Sequence, residues 1–345
     1  MSDQTVRAID AAQAPAVVTA TTARLPNVPP ALRARIEAAL RTSEAHRALF
    51  RDMRAMHLLE HGGSAPAQRL PARFTAVAWN AERCVFQAES EALLAAQGAD
   101  IILLSEVDCG MARTGQRHTS RLIAEALEMA YAFGVEFHEL GLGEGPELAF
   151  CKDDHNVSGW HGNALLSRVP PTRTALIRLD DHGHWFTMQG SGEPRLGGRM
   201  AVAAMLPWEC GEICAVSVHL ESHADPRHRS IQMERLLAAI DGFAGDAPVI
   251  IGGDLNTGVR VEGADWRKEG LFGTAETAGY SWHANADGTT TRPSRLTLNP
   301  TSRFKLDWFA LRGLLGEAPA IVPALDPAGQ PLSDHELVRT TIGAA

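Results

Sequence analysis

The stretch VIIGGDLN, residues 249–256, decides how the chain is read. Three consecutive β-branched residues make a strand buried on both faces, the Gly252-Gly253 pair punctuates it, and Asp254 and Asn256 follow at once. A carboxylate and a carboxamide at the mouth of a buried strand lie where loops gather and sites are built. Taken alone, Asp254 reads equally well as a turn former.

The same pattern recurs on both sides of this stretch. FTAVAWN (74–80) closes on Asn80, IILLSEVD (101–108) on Glu106 and Asp108, and ICAVSVHLES (213–222) on His219 and Glu221. FKLDWFAL (304–311) carries Asp307 among Leu306, Trp308 and Phe309, and PLSDHELVRTTI (331–342) presents Asp334 and His335 just before its apolar run. Each residue has a plain structural reading, a strand-end turn for Asn80 or a core imidazole for His219. Asp307 is different, because a carboxylate in an apolar strand is costly to desolvate without a cation or donor beside it. His335 is the natural partner, one ring N–H held by the carboxylate.

YAFGVEF, NALLS, TALIRL and MAVAAML supply further strands, with helical spacing near Val85–Gln97, Arg121–Met129 and Arg227–Phe243. This alternation predicts two mixed sheets packed together with helices outside. Upstream, residues 1 to about 30 lack periodicity and read as a flexible or loosely docked lead. From Pro30 the spacing of Leu32, Ile36, Leu40, Leu49 and Met53 predicts one or two amphipathic helices, ended by Gly62-Gly63 and followed by a linker, Pro66 to Pro71. The expected division is residues 1–70 as lead and helical extension, and 71–345 as the main α/β domain.

Composition narrows the function. The chain has 345 residues, 45% of them hydrophobic and 21% charged. No apolar run approaches the roughly eighteen residues of a membrane span. No secretory pattern opens the chain, which places it in the cytoplasm as an expectation. Five cysteines with no CxxC pair fit a reducing compartment, and Cys210 and Cys214 read as small apolar fillers rather than a metal site. A net charge of −9 argues against a dedicated grip on nucleic acid, which draws on clustered Lys and Arg, but is compatible with carboxylates gathered around a metal.

In this order, VAWN, LLSEVD, HGNALLSR, SVHLES, IIGGDLN, KLDWF and LSDHE resemble the endonuclease/exonuclease/phosphatase superfamily, DNase I-like proteins, over roughly residues 73–343. The resemblance implies a four-layer α/β sandwich with a helical N-terminal extension outside it. It also implies a divalent-metal-dependent phosphoesterase, cutting a phosphodiester or phosphomonoester by in-line attack of an activated water, with Mg²⁺ or Mn²⁺ as cofactor. Glu106 matches the principal metal glutamate, with Asn80 and Asp334 beside it. Asp254 and Asn256 match the pair that positions water and contacts phosphate, Asp307 the aspartate that orients His335, and His219 the VHL histidine. Asn163 and Ser167 match a supporting strand motif.

Three substrates stay open on these grounds: nucleic acid, a phospholipid such as sphingomyelin, and a small phosphorylated metabolite. Net acidity weighs against the first, and the absence of an apolar membrane-facing hairpin against the second. Retention of Glu106, Asp254, Asn256, Asp307 and His335 together argues against a non-catalytic binding module. Arg113, Arg117 and His118 in DCGMARTGQRHTS, and Arg199 in GGRMAVAAML, are further candidates for binding an anionic substrate. GLGEGPELAF (141–150) has no functional reading at this level.

Overall fold

The structure is a computed structural model that describes residues 16–180, 182–188, 195–298 and 303–345. Its strands form two sheets. The first has the order β1 (Val17–Val18), β8 (Arg173–Arg178), β10 (Met200–Trp208), β11 (Gly211–His219), β12 (Val249–Asp254) and β13 (Asp307–Arg312). The second has the order β14 (Leu314–Val322), β15 (Leu337–Ala344), β4 (Phe74–Arg83), β5 (Ile101–Cys109), β7 (Trp160–Ser167), β6 (Ala130–Glu139), β3 (Leu59–Gly63) and β2 (Thr21–Thr22), with β9 (Arg195–Gly197) beside β6. Both are mixed: β11 and β12 run parallel, as do β4 and β5, while β13 and β15 return antiparallel.

The strands read as continuous apolar runs because both faces are covered, and alternation sorts their residues between two cores. On β10, Val202, Ala204 and Leu206 join the core between the sheets, while Ala201, Ala203 and Met205 face outward. On β4, Phe74, Ala76 and Ala78 point between the sheets, and Val77, Trp79 and Ala81 point to the other side. That second outer face is covered by α1 (Pro30–Ala38), α2 (Ser43–Asp52), α3 (Gln87–Ala95) and α4 (Thr119–Ala126), through Ile36, Leu49, Leu94 and Ile123. A short α5 (His184–Thr187) adds Phe186 to the same core. The opposite outer face is covered by α6 (Pro226–Ala244) and α7 (Leu271–Thr277), through Leu236, Ile240 and Leu271. Asp225 caps α6, its Oδ1 accepting the His228 N–H at 2.9 Å with Pro226 leading the helix, a cap of about 1 kcal/mol. The result is the two packed mixed sheets expected from the strand pattern, and the four-layer α/β sandwich that the resemblance implies.

The glycine pair of β12 is explained by close approach. A Cβ on Gly252 would stand 2.7 Å from Leu103 Cδ1 of the facing sheet, and one on Gly253, at φ +147°, would stand 2.0 Å from the Val218 carbonyl. The two sheets therefore come together where the polar residues begin.

The N-terminal segment departs from its expected form. Residues 1–15 lie outside the described residues, but Val17–Val18 pairs with β8 and Thr21–Thr22 with β3, so this part of the lead docks on the sheets through two short strands. Gly62 and Gly63 end a strand paired with β6, not a helix. Two-residue strands carry no periodicity, and Gly-rich strands resemble breaks, so neither was legible. Among the described residues no helix is long and apolar enough to cross a membrane.

Candidate active site

Parallel pairing puts His219 opposite Asp254 at the ends of β11 and β12, and antiparallel pairing puts Asp254 opposite Asp307 at the start of β13. From the other sheet, β4 brings Asn80 and β5 brings Glu106. The ladder between β4 and β5 slips between Asn80 and Arg83, and that between β5 and β7 slips between Leu104 and Val107. Glu106 sits in this bulge at φ +53°, a left-handed position costing on the order of 1–3 kcal/mol for a non-glycine residue. Bulges re-aim side chains, and here the carboxylate turns toward the neighbouring sheet.

Asn80 joins the two sheets. Its Nδ2 donates to Glu106 Oε1 at 3.1 Å and to Asp254 Oδ2 at 3.0 Å, while its Oδ1 accepts the Glu82 N–H at 3.0 Å. In the structure Asn80 thus acts as a donor between two carboxylates, its oxygen accepting one backbone N–H. Asp254 Oδ1 accepts the Asn256 N–H at 2.8 Å, and Asn256, at φ +51°, donates through Nδ2 to the Leu220 carbonyl at 2.9 Å. His219 Nε2 lies 3.5 Å from Asp254 Oδ2 and 3.9 Å from Glu106 Oε1.

The segment bearing His335 is locked onto β4. Ser333 Oγ donates to the Asn80 carbonyl at 2.7 Å, Trp79 Nε1 donates to the His335 carbonyl at 3.0 Å, and the His335 N–H reaches Ser333 Oγ at 3.0 Å. The ring meets fully buried Asp307, Nδ1 to Oδ2 at 2.8 Å, and its Nε2 faces Asp254 Oδ2 at 3.7 Å. Burial disfavours the His335 imidazolium, but the carboxylates of Asp307 and Asp254 outweigh it and raise its pKa well above the ordinary value. Burial in turn pushes the Asp307 carboxyl up.

Asp254, Asp307 and His335 offer ligand atoms within 4.8 Å of one another. With Asp307 at one ring nitrogen and Asp254 facing the other, this trio can also hold a proton on His335. Carboxylate oxygens are the donors a hard divalent ion takes; Glu106 and Asp254 converge on the Asn80 amide, and half-buried Asp334 lies close enough to Glu82 to interact with it. Burial, then Asp334, raises Glu82 to about 8, although Ser294 and Thr297 donate to its Oε1 at 2.6 and 2.9 Å.

Arg199 does not extend toward solvent as a phosphate contact. It is buried, donates to Glu136 Oε1 at 2.8 Å, Glu221 Oε2 at 3.3 Å and Ser222 Oγ at 3.2 Å, and places Nη1 within 3.0 Å of the His219 ring. Glu136 Oε2 lies 3.3 Å from His219 Nδ1, and although burial pushes Glu136 up, Arg199 and His219 hold it down at about 2. The pair thus fixes the His219 ring. Glu136 and Glu221 were missed as partners, although a glutamate inside YAFGVEF was a visible signal of buried charge.

The loop candidates also turn inward. Arg113 is fully buried, bonded to Asp108, Glu139 and Glu147. Arg117 donates to the Thr114 carbonyl at 2.7 Å and Gln87 Oε1 at 3.0 Å. His118 pairs with Glu60 at 2.8 Å at the start of α4. Glu139, Gln87 and Glu60 among these partners are remote in sequence, which a linear reading cannot see. Asn163 donates to the Met200 carbonyl at 3.0 Å, and the Ser167 hydroxyl accepts the Val169 N–H at 3.1 Å.

None of the curated proteins compared with the chain matches it. Solved structures do. A Beutenbergia cavernae DSM 12333 endonuclease/exonuclease/phosphatase is 16% identical with a TM-score of 0.56, covering 79% of this chain and 72% of its own. D. rerio TDP2, solved with a single-strand DNA product, is 18% identical with a TM-score of 0.53, over 79% of this chain and 100% of its own. The human Nocturnin catalytic domain, solved with a sulfate anion, is 19% identical with a TM-score of 0.54, over 83% and 98%. At these identities the likeness establishes the fold. The family description that matches the sequence itself runs from residue 77 to 335, from the strand before Asn80 through His335, and on that match the chain belongs to the Endonuclease/Exonuclease/phosphatase family.

Proposed function

We propose that the protein is a divalent-metal-dependent phosphoesterase that hydrolyses a phosphodiester or phosphomonoester by attack of an activated water. The observation that carries this reading is the meeting of Glu106, Asp254, His219 and His335 around Asn80 at the junction of the two sheets. Family members are hydrolases of phosphoester bonds, and all-oxygen donors suit Mg²⁺ or Mn²⁺.

In this reading Glu106 and Asp334 would hold the ion, which would supply positive charge to a non-bridging phosphate oxygen. Asn80 keeps Glu106 and Asp254 in register. Asp254 orients the water and takes its proton, and Asn256 contacts the phosphate. His335, kept protonated by Asp307, and His219, held by Glu136 and Arg199, donate to the negative charge that develops on the phosphoryl oxygens. Residues 71–345 form the catalytic unit, braced by residues 16–70 of the extension. The five free cysteines support a reducing compartment such as the cytoplasm.

Hydrolysis of bis-p-nitrophenyl phosphate, p-nitrophenyl phosphate and plasmid DNA, each with Mg²⁺, Mn²⁺ or EDTA, tests the function. Turnover of at least one substrate is expected with metal and none with EDTA. Undiminished turnover after thorough chelation contradicts the metal requirement, and cleavage of DNA would favour nucleic acid over a small phosphate ester.

A further inference from the structure

We infer that Arg83 is a positioning residue for Glu106: it holds one oxygen of that carboxylate so that the other is presented to the metal, and Glu147 of GLGEGPELAF holds Arg83 in turn. This role rests on the metal-dependent reading above and extends it to a residue and a loop outside the motifs of the site.

The backbone that delivers Arg83 is unusual. Glu82, Arg83 and Cys84 take φ +43°, +72° and +56° in succession, with no glycine among them. Non-glycine residues persist in this region only where their surroundings over-determine them. For Arg83 the surroundings are two carboxylates. Its Nη1 pairs with Glu106 Oε2 and its Nε donates to Glu147 Oε1 at 3.1 Å, with the side chain 14% exposed.

The contacts continue away from the site. Glu147 Oε2 accepts from Arg113 Nη1 at 2.9 Å, and Arg113 is bidentate to Asp108, at 2.8 and 2.9 Å, and reaches Glu139 at 2.7 Å. His161 Nδ1 meets Asp108 Oδ1 at 2.9 Å. Glu106 therefore ends a chain of mostly buried charges anchored on β5, β6 and β7. A buried network of this kind is poor evidence for stability, since apolar residues of similar volume would serve as well. It needs a reason, and its end at Glu106 supplies one.

The two oxygens of Glu106 have different neighbours. Oε2 belongs to Arg83, whereas Oε1 meets the Asn80 amide at 3.1 Å and faces His219 at 3.9 Å. The last torsion of a glutamate is soft and roughly two-fold, so pinning one oxygen sets where the other points. The planar guanidinium can span Glu106 and Glu147 together; a lysine ammonium is a point charge on a flexible stem and spans them poorly. Arg83 as a rival cation for Glu106 would need the same contact but would have the opposite effect on metal binding.

Calorimetric titration of Mn²⁺ into substrate-free wild type, R83Q, R83K and E147Q separates these outcomes. R83Q is expected to bind Mn²⁺ about 10–100-fold more weakly, as for other partners that orient a metal ligand. R83K should recover part of that loss, and E147Q should show a smaller one. Melting temperatures in EDTA check folding, and if R83Q does not fold, the E147Q titration decides. Unchanged or tighter binding in a folded variant overturns the role of Arg83. Wild type that binds Mn²⁺ while the variants match it removes this role alone, whereas wild type that binds no Mn²⁺ or Mg²⁺ removes the metal-dependent reading as well.

Discussion

D254N is expected to lower kcat by about 10²-fold or more while the protein remains folded, because the substitution keeps the side chain's size and removes its capacity to take a proton. The environment sharpens the expectation. Asp254 accepts at both oxygens, Oδ1 from the Asn256 N–H at 2.8 Å and Oδ2 from Asn80 Nδ2 at 3.0 Å. An asparagine has one acceptor, so either orientation of its amide sets an N–H against another donor. The register of Asn80 between the sheets should loosen along with the loss of the base. Steady-state rates on p-nitrophenyl esters at saturating metal, beside a melting curve, measure both effects. A folded D254N within a few-fold of wild type would assign the water to another group.

The Asp307–His335 pair should behave as one unit. H335A and D307A are each expected to cost about 10²-fold in rate, at the lower end of what a positioned acid contributes, and the double variant should be far less impaired than the product of the two. In the proposed mechanism the carboxylate works through the charge state of the ring. Burial opposes the His335 imidazolium, Asp307 and Asp254 overcome it, and the pKa stands well above its ordinary value. Loss of this proton should therefore set the alkaline limb of the activity profile, as pH rises through the raised value. In D307N that limb should move toward lower pH, provided the enzyme is saturated with metal at each point. Stability has the same sign: the contribution of His335 is complete below about pH 6.5, the ordinary histidine value, and is lost as pH rises through the folded one. Losses that multiply independently in folded single and double variants would show that Asp307 does not act through His335.

The fold was legible in the sequence because strands covered on both faces must be apolar throughout, so that a polar residue at the end of one stands out. That is why Asn80, Glu106, His219, Asp254 and His335 could be read together, and why Asp307 pointed to an imidazole. Long-range pairing of charges was not legible. Arg113 and Arg199 resemble anion contacts in a linear reading, yet Arg113 reaches Glu139 and Glu147, and Arg199 reaches Glu136 on a strand of the other sheet. The bulge at Glu106 was equally invisible, since it depends on register rather than residue type. The direction of the Asn80 amide depends on a single backbone N–H, that of Glu82.

The central claim is that water, activated in this site, attacks phosphorus. It is tested most directly by turnover of the best substrate in ¹⁸O-labelled water with Mg²⁺, followed by mass spectrometry of both products. The expected result is one ¹⁸O in the phosphate product, none in the released alcohol, no labelled product with EDTA, and about 10²-fold less or lower still with D254N over the same interval. Label in the alcohol, or labelled phosphate formed equally well without metal, would contradict it.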